Sequence, residues 1–242
     1  MIELSPDTIK KLPTHHVIIL AKNEVGRINL YRLVSWSHID YFAKRPRIPK
    51  SLLNQYREGL IIGSACEAGE LYQALLRGLP RAELMKVASF YDFLEIQPLG
   101  NNAFMLRDEK STVKTMEDLM DLNRRIVQMG EELGKPVCAT CDVHFLNPED
   151  EVYRRILMAG QGFSDADQQA PLYLRTTEEM LKEFEYLGPD KAEEVVITNT
   201  RMIADMCERI APVSPDKCPP VIENSDETLR KICYCLLYTS PS

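Results

Sequence analysis

Apolar positions along the chain switch between short runs rich in β-branched residues and longer stretches at helical spacing. His16–Ala21 (HVIILA), preceded by Pro13, predicts a first strand. Ile28, Tyr31, Val34, Ile39 and Phe42 lie near helical spacing and predict a helix from about Arg27 to Phe42. The run KRPRIPK, Lys44–Lys50, breaks that helix with two prolines, and Ser51 reads as the cap of a short helix. Gly59–Cys66 (GLIIGSAC) predicts a second strand leading into a small-residue turn, with a helix returning over Ala68–Leu76. Another helix carries Leu84, Val87 and Tyr91, and Phe93–Gln97 is the third strand. Thr115 as N-cap and Gly134 as stop bound a long helix over Met116–Leu133.

Pro136–Phe145 (PVCATCDVHF) predicts the fourth strand, and Asn147-Pro148 opens a helix that ends at Gly160. Helices then dominate, with a capping box at Thr176 and Glu179 and a helix from about Asp190 to Arg209. Strands alternating with helices up to about residue 160 imply an α/β fold with a parallel sheet, open or closed into a barrel. Four strands are too few to close a barrel alone.

The densest chemistry sits on the fourth strand, in Cys138-Ala-Thr-Cys141-Asp142-Val-His144. Residues two apart on a strand share a face, so Cys138, Thr140, Asp142 and His144 are expected on one side and Val137, Ala139, Cys141, Val143 and Phe145 on the other. Asp142 and His144 then offer an oxygen and a nitrogen side by side, as a divalent metal requires. The competing reading is an aspartate capping a turn beside a half-exposed histidine. Cys138 and Cys141 have CxxC spacing, but on a strand it sends the thiols to opposite faces, and no second CxxC follows.

Cys66 in GSACEAGE reads by itself as a small buried hydrophobe, and His15 and His16 at the start of a strand read as structural. A phosphate at the Gly63-Ser64 turn would be repelled by Glu67 and Glu70. Lys44, Arg45, Arg47 and Lys50 read as a solvated basic loop rather than a nucleic-acid grip. Trp36 reads as helix packing, and His38 has no evident partner.

Bulk properties narrow the classes further. The 242 residues carry a formal net charge of −7, which disfavours this segment alone gripping duplex DNA. Apolar runs such as Val17–Ala21 and Leu60–Ile62 are too short to span a bilayer, and MIELSPDTIKK has no signal-peptide apolar region, so a cytoplasmic location without membrane association is expected. Seven irregularly spaced cysteines read as reduced thiols.

Longer blocks are more specific. THHVIILAKNEVGRINLYRLVS, RPRIPKSLL, EGLIIGSACEAGELYQALL, FLEIQPLGN, PVCATCDVHFLNPED and DKCPPVIENSDETLRKICY resemble, in order, consecutive blocks of the PolC-type DNA polymerase III alpha subunit, over about residues 14 to 234. The resemblance implies a partial distorted (β/α) barrel of PHP type over 1–165, its C-terminal part, followed by a mostly helical connector over 166–234 toward a palm domain. It implies a metal set of His16, Cys66, Asp142 and His144, holding zinc, manganese or magnesium, with magnesium serving the parent polymerase. DNA, deoxynucleotides and replisome subunits such as the sliding clamp are its implied partners, through the parent protein.

The family's H-x-H pair, a further glutamate, the exonuclease carboxylates and the palm aspartates have no counterpart in the blocks present. The expectation is therefore an inactive fragment of a replicative DNA polymerase, with Met1 an internal position. Residues 235–242 (CLLYTSPS) depart from the family and resemble translated sequencing-adapter read-through. The alternatives are an independent PHP-type metal-dependent phosphoesterase, disfavoured by four histidines without an H-x-H, and a non-enzymatic binding module.

Overall fold

The computed structural model describes residues 12–213 and 215–239. The MIELSPDTIKK segment and residues 240–242 of the CLLYTSPS stretch lie outside them. The chain divides into one compact unit reaching Ile210 and another from Ala211 onward.

In the first unit, β1 (Ile18–Ala21) is followed by α1 (Glu24–Ile39), α2 (Lys50–Gln55) and β2 (Leu60–Gly63). β1 and β2 pair antiparallel, Ile18 opposite Gly63 and Ala21 opposite Leu60. Next come α3 (Glu70–Leu76), α4 (Arg81–Ser89), β3 (Leu94–Ile96) and a short α5 (Leu99–Asn102). The long α6 (Met116–Leu133) leads to β4 (Val137–Ala139), which lies parallel to β3 with Glu95 opposite Cys138. A single parallel bridge, Gly63 to Phe93, ties β2 to the start of β3. The architecture is thus mixed α/β, with two two-stranded pieces. The all-parallel sheet expected from the alternation fails at β1, because α1 and α2 return the chain against β1 from the opposite end.

Local chemistry explains several boundaries. Thr115 Oγ1 accepts from the Asp118 N–H and the Asp118 carboxylate accepts from the Thr115 N–H, a reciprocal cap on α6, and Gly134 ends the helix at φ 62°. α1 begins three residues ahead of the expected Arg27 because Asn23 Oδ1 accepts from the Gly26 N–H at 3.0 Å. Pro49 rather than Ser51 precedes α2, and it offers no side-chain cap.

The face of α1 reverses the expectation. Gly26, Asn29, Leu33 and Ser37 are buried, whereas Ile28, Tyr31, Val34 and Ile39 are exposed, as is Phe42 just beyond the helix. Close backbone approach is the cause: a Cβ on Gly26 would sit 1.8 Å from the Gly59 carbonyl oxygen. Asn29 Nδ2 donates to the Glu58 carbonyl at 3.0 Å and so satisfies the polar group that this approach buries.

The core joins both halves of the first unit. Leu33, Ile62, Leu94, Ile96, Leu119 and Ile126 pack in one cluster with Phe184 and Val195 from the later helices. Those helices are α7 (Glu151–Gly160), α8 (Thr177–Glu183), α9 (Pro189–Glu193) and α10 (Asn199–Asp205), with a π-helical turn over Glu194–Thr198. The single helix expected over 190–209 is therefore interrupted. Asn199 Nδ2 donates to the Val137 carbonyl at 2.9 Å, anchoring α10 to β4. In the second unit, α11 (Ser225–Thr239) runs through the first residues of the stretch read as artefactual. No helix among the described residues is long and apolar enough to cross a membrane.

Candidate metal centre

Two loops and the segment leading into β1 carry the candidate ligands. The first loop leaves β2 through Ser64 and Ala65, the latter at φ 60°, and presents Cys66. Gly69 closes it: its N–H donates to the Cys66 carbonyl at 2.8 Å, and a Cβ there would meet the Ser64 oxygen at 2.2 Å. His16 joins this loop, its N–H donating to the Ala68 carbonyl at 3.0 Å. Its Nδ1 lies 3.6 Å from Cys66 Sγ. A tetrahedral ion with ordinary zinc–sulfur and zinc–nitrogen bonds sets its two donors about 3.6 Å apart, so this pair fits a shared metal. In the protein alone, burial pushes the Cys66 thiol up to about 12, with Glu67 and Glu95 adding to the effect.

The second loop departs from the sequence reading. β4 ends at Ala139, and Thr140 makes the last sheet bond, its N–H donating to the Ile96 carbonyl at 3.0 Å. Asp142 then takes φ 55°, a left-handed conformation that aspartate tolerates and that ends strand alternation. Cys138, Asp142 and His144 therefore do not share a strand face: Cys138 is buried, while Asp142 and His144 are exposed. Asp142 and His144 nonetheless stay together, Nδ1 lying 2.9 Å from the Asp142 carbonyl oxygen and 3.8 Å from its Oδ1. A proton on Nδ1 donates to that carbonyl and leaves Nε2 with a free lone pair, the arrangement of a metal-ligating histidine.

The four residues thus form two pairs. Among the described residues, no three of His, Cys, Asp and Glu come together closely enough to hold an ion. Between the pairs lies Glu95, which the sequence reading passed over. It sits on β3, 4% exposed, its Oε1 accepting from Thr140 Oγ1 at 2.7 Å and from Gln97 Nε2 at 3.2 Å. Burial pushes its carboxyl up from the ordinary value; the Thr140 and Gln97 hydrogen bonds oppose this and the Asp142 and Glu67 charges reinforce it. The signal was present in FLEIQ, where a carboxylate interrupts an otherwise apolar strand and Gln97 follows on the same face.

Other candidates resolve into packing. Cys138 is buried and its thiol is raised to about 12 by burial. Cys141 turns instead to the Tyr173 carbonyl, with Arg175 Nη1 at 3.4 Å. All seven cysteines are free thiols. Lys50 pairs with Glu70 and lies 4.6 Å over the Phe90 ring, so part of the basic loop serves packing. His15 is held below its ordinary value by burial, against the pull of Glu70.

The PHP domain family matches residues 2–97, a span that takes in His16, Cys66 and Glu95 and stops before Asp142 and His144. Over 229 residues the chain is 60% identical to DNA polymerase III PolC-type of Clostridium perfringens (strain 13 / Type A), covering 95% of this chain and 16% of that protein. The corresponding protein of Caldanaerobacter subterraneus subsp. tengcongensis is 54% identical over 224 residues, covering 93% of this chain and 16% of the relative. That of Bacillus subtilis (strain 168) is 44% identical over 223 residues, with 91% and 15% covered. The chain spans about one sixth of the length of these relatives.

Proposed function

We propose that this chain, similar to the PHP domain family over residues 2–97 and to part of PolC-type DNA polymerase III, supplies part of a divalent-metal centre to a DNA-synthesising parent protein. The 3.6 Å approach of His16 Nδ1 to Cys66 Sγ carries the reading. His16, Cys66, Asp142 and His144 are the ligands: two nitrogens, a thiolate and a carboxylate, a set suited to zinc and to manganese. When bound, the ion polarises phosphate oxygens and makes a bound water acidic. The chain's own residues prepare for it. Gly69 holds the Cys66 turn, and the Asp142 carbonyl fixes the His144 ring.

The PHP region occupies 1–165 as the C-terminal part of a distorted (β/α) barrel, and 166–234 lead toward a palm domain. Nucleotidyl transfer, with magnesium, DNA and deoxynucleotides, belongs to other parts of the parent, as does the sliding-clamp contact. The segment itself extends no primer. Its site is tested by equilibrium dialysis of the 242-residue chain against zinc. Binding that survives Cys138→Ser and is lost in Cys66→Ser and His144→Ala supports the reading. Primer extension by the purified chain, or zinc binding indifferent to both losses, overturns it.

A further inference from the structure

We infer that Arg175 is a positioning residue: through Cys141, its buried guanidinium holds the turn that brings Asp142 and His144 together. The inference rests on the reading of that pair as part of a site, and it extends the site-building part of the chain past residue 165 to α8.

The Arg175 side chain is 1% exposed, and its Nε donates to Glu183 Oε1 at 3.2 Å. A buried guanidinium needs such a counter-charge, but one ion pair leaves the other N–H groups of the fork for a second partner. Nη1 lies 3.4 Å from Sγ of Cys141, the residue directly before Asp142, and the guanidinium carbon stands 4.5 Å from the centre of the Tyr173 ring. Cys141 is tied in turn. Its thiol donates to the Tyr173 carbonyl at 3.2 Å, and its own carbonyl accepts from Asn101 Nδ2 at 3.0 Å. Beyond the turn, the N–H groups of His144 and Phe145 both donate to the Leu172 carbonyl, at 2.8 and 3.2 Å. The left-handed Asp142 therefore lies between two anchored ends. Backbone groups hold the far end, whereas side chains hold the near one, and a site is only as fixed as the groups that hold its side chains.

The test is the tautomer of His144, read from long-range proton–nitrogen spectra of the histidine-labelled 242-residue chain. Chelator is present, and the spectra are taken at about pH 8, where imidazoles are neutral. The His144 signals are identified by their absence from His144→Ala. A turn held in this way keeps the proton on Nδ1, donated to the Asp142 carbonyl, and the wild type is expected to show that single tautomer. Arg175→Met and Cys141→Ala are expected to lose it to averaging between tautomers. Cys141→Ser, whose hydroxyl still accepts and donates, is expected to restore it. If Arg175→Met fails to fold by circular dichroism, the two Cys141 variants carry the test. A tautomer as fixed in Cys141→Ala as in the wild type, averaging already in the wild type, or Cys141→Ser no better than Cys141→Ala overturns the inference. No metal takes part, so the zinc-binding test of the four ligands stands or falls separately.

Discussion

His16 Nδ1 and Cys66 Sγ meet at 3.6 Å although 50 positions separate them. The contact depends on Gly69, whose backbone pairs with His16 and whose missing side chain lets the Ser64 carbonyl approach. Gly69→Ala is expected to displace the turn, at about 1–3 kcal/mol of overpacking cost, and to weaken zinc binding. Urea unfolding and zinc competition on the same variant check this. Unchanged stability would show that the turn yields without consequence.

Phe184 is fully buried in a core shared with Ile62, Leu94 and Ile126. Phe184→Ala is expected to cost about 3–5 kcal/mol, read as a fall in the urea midpoint. A small loss would mean that the later helices contribute little to the stability of the strands carrying the site.

The outward apolar face of α1 gives an opposite expectation. Val34 is 44% exposed, so Val34→Lys should change stability by no more than about 0.5 kcal/mol. A loss of several kcal/mol would place Val34 in a core after all.

Acid should loosen the start of α6. Backbone N–H groups of Lys114 and Thr115 donate to the Asp118 carboxylate and hold it below its ordinary value of 3.8. A carboxyl depressed in the folded state stabilises fully above its unfolded value, and that contribution is lost as pH falls through the folded value. Thr115→Ala removes the reciprocal bond and is expected to cost about 1 kcal/mol. Thermal melts of wild type and Asp118→Asn from pH 6 down to about pH 2, the side of the carboxylate range where this loss falls, should converge at the acid end. Parallel curves throughout would remove Asp118 from the pH response.

What was legible in the sequence was local. Thr115, Asp118 and Gly134 bound α6 through bonds within a few residues, so its limits agree with the reading. The fourth strand was read six residues too far at its C-terminal end because alternation continues on paper to Phe145, whereas Asp142 turns left-handed and β3 has no further partner to offer. The buried face of α1 was misread because it is set by the approach of Gly26 to Gly59, a tertiary contact. His16 and Cys66 looked structural singly, and only family blocks joined them. Glu95 stayed hidden because its meaning comes from the two loops on either side of its strand.

A cobalt(II) titration of the chain, followed in the near-ultraviolet and visible, tests most directly whether the two pairs serve one centre. A thiolate-to-cobalt band that disappears in Cys66→Ser and shifts or weakens in His144→Ala is the expected result. A band that His144→Ala leaves untouched, or its absence from the wild type, would contradict a shared centre.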